Sequence, residues 1–153
     1  MISCWHMNEY ESAAMWKLYC QGSDGICVQS TYRLLDDALD EEVNIGQVKY
    51  ISYDQQSIPL GNLFWPFLYK RRSFEHEREI RAIVCDVTRA MAAIDPPVNG
   101  GAWRQVDLDR LIQTVYVVPT ASDWIVELVQ SVMEKYQLTK PVNHSGLDAE
   151  PLG

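Results

Sequence analysis

Ile2, Cys4 and His6 alternate with Ser3 and Trp5 at the start of the chain, a period of two that predicts a short strand. The next stretch, NEYESAAMWKLYC, changes to a helical period. Asn8 stands where an N-cap is expected, and Glu9 and Glu11 suit the positive end of a helix dipole. Ser12, Met15, Trp16 and Tyr19 then share one side, and QGSDG ends the helix. ICVQSTY predicts a strand with Ile26 and Val28 on one face and Cys27, Gln29 and Thr31 on the other. YRLLDDALDEE predicts a short acidic helix with Ser30 or Thr31 as its cap, and VKYISYD alternates as a strand.

In IPLGNLFWPFLYKRRSFEHE, Pro66 is expected to begin or kink a helix. EIRAIVCDV is the next strand. Residues 88–103, with Pro96-Pro97 and Gly100-Gly101, predict a long surface loop. VDLDRLI suits one turn of helix, and QTVYVVP a strand that Pro119 stops. SDWIVELVQSVMEKYQL is the clearest amphipathic helix, with Trp124, Ile125, Leu128, Val129, Val132, Met133 and Tyr136 at helical spacing. KPVNHS adds a last strand, and residues 147–153 read as a flexible tail. The expected fold is therefore α+β: one domain over residues 1–146, with a mixed, mostly antiparallel sheet of about five or six strands and three or four helices.

Composition narrows the function classes. The chain has 153 residues, 47% of them hydrophobic and 22% charged, which suits a globular domain. A formal charge of -8 argues against a nucleic-acid partner, which usually meets a basic face. Positive charge gathers in Lys70, Arg71 and Arg72, a run that reads first as a solvated turn. Cys4, Cys20, Cys27 and Cys85 form no CxxC pair and read as free, small core residues of a cytoplasmic protein. The apolar runs fall short of a membrane span.

One stretch needs its own explanation. SFEHEREIRAIV sets Glu75, His76, Glu77, Arg78, Glu79 and Arg81 directly against an apolar run. As a strand, it puts Glu75, Glu77, Glu79 and Arg81 on one face; as a helix, it brings Glu77 to Arg81 at i,i+4. Either geometry supplies Arg81 with a carboxylate, so the residues predict an ion-pair network where a core strand begins. The competing reading leaves one glutamate for chemistry in a cleft. His6 at a strand end, with Glu11 and Ser12 opening a helix, is a second polar cluster. There is no glycine-rich phosphate loop, HExxH or GxSxG. His6, His76 and His144 have no metal-ligand spacing, so no metal is expected, and no cofactor is named by any motif.

Taken together, SCWHMNEYESAAMWKLY, GICVQSTYRL, VKYISYD and FLYKRRSFEHEREIRAIV resemble a widespread bacterial family known only as a domain of unknown function. The resemblance implies a shared framework of Trp5, His6, Glu11, Ser12, Trp16, Tyr19, Lys70, Phe74, Glu77, Glu79 and Arg81, and brings no reaction with it. Family members carry further sequence before the CWH block, so this chain resembles a shortened member. Its first strand is then expected to lack a neighbour, leaving an edge that self-association could cover.

Two function classes follow. The first is a self-associating interaction module, with a dimer favoured. The second is a nucleotide-using enzyme with a small-molecule ligand. The order His6, then Tyr19 or Tyr32, then Glu77 or Glu79 resembles the His-Tyr-Glu layout of ADP-ribosyltransferases. In that layout His6 would hold the ribose, a tyrosine would stack on nicotinamide, and the glutamate would stabilise an oxocarbenium-like transition state. No Arg precedes Ser30, against the Arg-Ser-Glu version of that site. A Cys4–His6 nucleophile pair lacks a third, orienting group. The candidate pocket is His6, Glu11, Ser12, Trp16, Tyr19, Lys70, Glu77, Glu79 and Arg81.

Overall fold

In the computed structural model, residues 1–20, 22, 24–85, 101 and 103–148 are described. They carry an α+β fold with eight strands in three small sheets, most of the pairings antiparallel. In chain order the first elements are β1 (Ile2–His6), α1 (Ala13–Tyr19), β2 (Ile26–Gln29), α2 (Tyr32–Ala38), β3 (Asn44–Gln47) and β4 (Lys49–Ile51). Then come α3 (Trp65–Leu68), β5 (Tyr69–Arg71), a 3-10 helix (Arg72–Glu77) and β6 (Glu79–Ile83). The last are α4 (Leu108–Leu111), β7 (Thr114–Val117), α5 (Asp123–Lys135), β8 (Val142–His144) and a 3-10 turn (Gly146–Asp148). The expected class holds, but the strands do not gather into one sheet. The chain divides into two units, Met1–Asn8 with Asp40–Arg104, and Glu9–Leu39 with Gln105–Gly153.

In the first unit β6 lies between β1 and β3, antiparallel to both. Arg81 faces Cys4 on one side and Gly46 on the other, and Glu79 faces His6. Ala82 and Ile83 of β6 are buried with Val48 and Ile51. Burying a side chain such as Ile83 contributes about 2 kcal/mol. β4 and β5 form a parallel pair in which Tyr50 faces Lys70. The run Tyr69–Arg71 is thus a strand and not a solvated turn, because it borrows its partner from β4. Pro66 stands in the first turn of α3, where its missing N–H costs nothing, so it begins the helix instead of kinking it. VKYISYD is strand only through Ile51, since Gln55 and Gln56 donate back to the Ser52 carbonyl in a turn.

Strand β3 had no clear signal, because Asn44, Gly46 and Gln47 read as loop residues. Its glycine answers to packing: a Cβ on Gly46 would sit 2.7 Å from both terminal methyls of Leu68. Residues 86–100, which include most of the expected long loop, lie outside the described residues, as do 149–153 of the expected tail.

In the second unit β7 is central, antiparallel to β2 and parallel to β8. Parallel neighbours need a crossover, and α5 supplies it as a β7-α5-β8 unit. Ile112, Val115 and Met133 form its core, with Val28, Val129, Leu138 and Val142 packed around them. Helix α1 begins later than its sequence suggests. Ser12, not Asn8, is the N-cap, with its Oγ accepting from the Met15 N–H at 3.4 Å. Asn8 instead accepts at Oδ1 from the Arg78 guanidinium, 3.1 Å away in the first unit. Thr31 caps α2, whereas the Ser30 hydroxyl donates to the Leu111 carbonyl at 2.6 Å. All four cysteines are free, but none belongs to the core: Cys4 and Cys27 are exposed, and Cys20 and Cys85 are half-buried.

Candidate functional site

The residues of SFEHEREIRAIV take neither of the two regular geometries throughout. The segment is a 3-10 helix to Glu77, reverses at Arg78 with φ 41° and ψ 53°, and is a strand from Glu79. A left-handed arginine costs on the order of 1 kcal/mol, so neighbouring contacts must hold it there. Its N–H donates to the Glu75 carbonyl, and its own carbonyl accepts from Met7 N–H at 2.9 Å. This reversal puts both Glu77 and Glu79 against Lys70.

Lys70 Nζ lies 2.6 Å from Glu77 Oε2 and 2.7 Å from Glu79 Oε1. Glu79 also takes a two-pronged contact from Arg81, 2.8 Å from Nε to Oε2 and 3.1 Å from Nη2 to Oε1. Such fork-to-carboxylate pairs are among the stronger side-chain interactions. Arg81 Nη1 donates further to the Phe67 carbonyl at the end of α3. The Phe74 ring lies 4.7 Å from Lys70 Nζ, and Tyr50 Oη accepts the Glu79 N–H at 2.8 Å. Two carboxylates meet two cations, so the cluster is electrically balanced.

The balance decides what these groups can do. Burial pushes the Glu79 carboxyl up, but hydrogen bonds from Arg81, Lys70 and Cys4 outweigh it and bring it from 4.5 down to about 2. Glu79 is therefore ionised at neutral pH, and its oxygens are taken. Burial lowers Lys70, yet its bonds to Glu77 and Glu79 raise it overall, and Glu79 likewise holds Arg81 up. Burial and the hydrogen bond to Glu79 raise the Cys4 thiol, which disfavours the thiolate a Cys4–His6 nucleophile needs. The carboxylate serving Arg81 is thus Glu79, two residues away on the same strand face, while Glu77 serves Lys70. Tyr50 and Cys4 complete the cluster. Tyr50 had one signal in sequence, its place in an alternating strand, and nothing there tied it to Glu79.

His6 joins the same cluster through the backbone. Its Nδ1 lies 2.7 Å from the Glu77 carbonyl oxygen, which can only accept, so the ring donates at Nδ1. Nε2 is buried with no hydrogen-bond partner among the described residues, and the same holds for Trp5 Nε1. The other nominated residues belong to the second unit. Glu11 Oε2 accepts from Ser145 Oγ at 3.1 Å and from Gly146 N–H at 2.7 Å, tying the start of α1 to the turn after β8. Ser12 is the α1 cap, Trp16 is buried and Tyr19 is exposed. Tyr32, the alternative tyrosine, is also exposed and opens α2.

Two further features of the second unit lie apart from these residues. An open groove of about 630 Å³ is lined by Gln29, Arg110, Gln113, Thr114 and Lys140 among others, and by none of the nominated residues. Helix α5 carries two apolar rows. Ile125, Val129 and Met133 turn inward, and Val129 and Met133 join the core around Val115. Trp124, Leu128 and Val132 repeat at i,i+4 and remain 60%, 51% and 46% exposed, with Tyr136 at the C-cap 67% exposed. The sequence placed all seven at helical spacing in one amphipathic helix; only one of the two rows is turned to the core.

Among the described residues no group of three His, Cys, Asp or Glu is placed to hold a metal ion, and no helix is long and apolar enough to cross a membrane. No family model, no curated protein and no solved structure matches this chain.

Proposed function

We propose that the protein is a cytoplasmic, self-associating interaction module, most simply a dimer. The observation that carries this reading is the exposed apolar row on α5, where Trp124, Leu128 and Val132 stand in line on the outside of a helix whose other apolar row is already buried. An aligned row of this kind marks a surface suited to contact with a partner, where scattered single exposed apolar residues would not. The nucleotide-enzyme reading has less support. Its acidic residues are held by Lys70 and Arg81, and its histidine meets the Glu77 carbonyl and not the carboxylate. The bacterial family that the chain resembles brings no reaction to set against this reading.

Sedimentation velocity over a roughly hundredfold range of concentration tests it, with the expected result a mass that rises toward twice that of the monomer. Thermal melting with excess NAD is the companion measurement, and no shift is expected. A monomer at every concentration, together with an NAD-dependent rise in midpoint that His6→Ala removes, would overturn this reading in favour of the enzyme.

A further inference from the structure

We propose that α5 pairs with the α5 of a second copy of this chain, the two helices antiparallel, through Trp124, Leu128, Val132 and Tyr136. The inference rests on the self-association reading above and names the surface that performs it. The inner row packs α5 into the core of its own unit, which leaves the outer row exposed along the helix. Positions four apart on a helix form a continuous ridge, which is the unit helices use to pack on one another. About a two-fold axis near the middle of α5, Leu128 meets Val132 and Trp124 meets Tyr136, so the ridge is complementary to itself.

Charge selects the direction. The polar row beside the ridge runs Asp123, Glu127, Ser131, Lys135, acidic at the start of the helix and basic at its end. Antiparallel helices lay the acidic end of one copy over Lys135 of the other, and their dipoles also oppose. Parallel helices would set Asp123 on Asp123 and Glu127 on Glu127. Asp123 lies 3.4 Å from His144 Nε2 and its side chain is otherwise open to solvent.

Size sets the strength. The four exposed side chains offer on the order of 400 Å² per copy, against about 800 Å² for a standard stable interface. The net charge of -8 on each copy also opposes approach. The pair is therefore a weak, exchanging one and not an obligate dimer.

The test compares self-association of the whole chain with that of three variants by sedimentation, each checked for folding by circular dichroism. Leu128→Glu should weaken the dimer at least tenfold. Lys135→Glu should weaken it severalfold by setting acid against acid, and adding Asp123→Lys to it should restore most of the loss. If Leu128→Glu disturbs folding, the two charge variants, on exposed positions, carry the test alone. A dimer untouched by all three variants places the contact elsewhere and overturns this assignment, while self-association stands. A double variant no tighter than Lys135→Glu overturns the antiparallel orientation. A wild-type chain that stays monomeric sinks the self-association reading itself.

Discussion

The Lys70–Glu77–Glu79–Arg81 cluster and the outer row of α5 are opposite cases of matching. In the first, four charged groups that would be costly to bury alone are brought together until each has an opposite charge. In the second, apolar side chains that would gain from burial are left in solvent. The charged cluster looks more like chemistry on the page of a sequence, yet its needs are met within its own unit. The apolar row looks like ordinary core and is the part whose needs are unmet.

The largest effect that would break this contrast is at Arg81. Arg81→Met removes the two-pronged partner of a buried carboxylate, and a loss of about 3 kcal/mol is expected in urea unfolding. A loss within experimental error would mean that the cluster is not holding the fold and is open to another role. Acid sharpens the same point. The folded-state pKa of Glu79 is depressed, so its contribution is complete above about pH 4.5 and is lost as pH falls toward 2. The full shift corresponds to on the order of 3 kcal/mol. Unfolding curves taken down that window should show stability falling with pH, and Arg81→Met should flatten the fall. The smallest effect belongs to the other region. Leu128→Gln should change monomer stability by less than about 0.5 kcal/mol, since it alters an exposed position. A loss comparable with that of Arg81→Met would show that the row is packed after all.

Much of the secondary structure was legible locally. β1, β2, β7 and α5 form where their periods placed them, β7 alternates in burial as expected, and Thr31 caps α2 as its side chain allows. The ion-pair network at the start of β6 was legible too, because an arginine inside an apolar run is costly without an opposite charge and glutamates stand close by in sequence. Its wiring was not. Whether Glu77 or Glu79 meets Arg81 turns on the left-handed residue Arg78, and a non-glycine there is held by contacts with residues 7 and 75. Lys70 was among the candidate residues, but its place on a strand could not be read, because that strand exists only through β4, twenty residues earlier.

The sequence by itself determined the class of fold, the four free thiols' lack of metal spacing, the acidic balance and the need for a partner at Arg81. These rest on near neighbours and on residue chemistry. Only the tertiary structure decided that the strands part into three sheets and that Gly46 serves a strand under Leu68. It also decided that just one of the two apolar rows of α5 is buried. Each of those depends on which distant segment arrives to fill a hydrogen-bonding edge or an apolar face, and the period of a segment records that a face is apolar without recording what covers it.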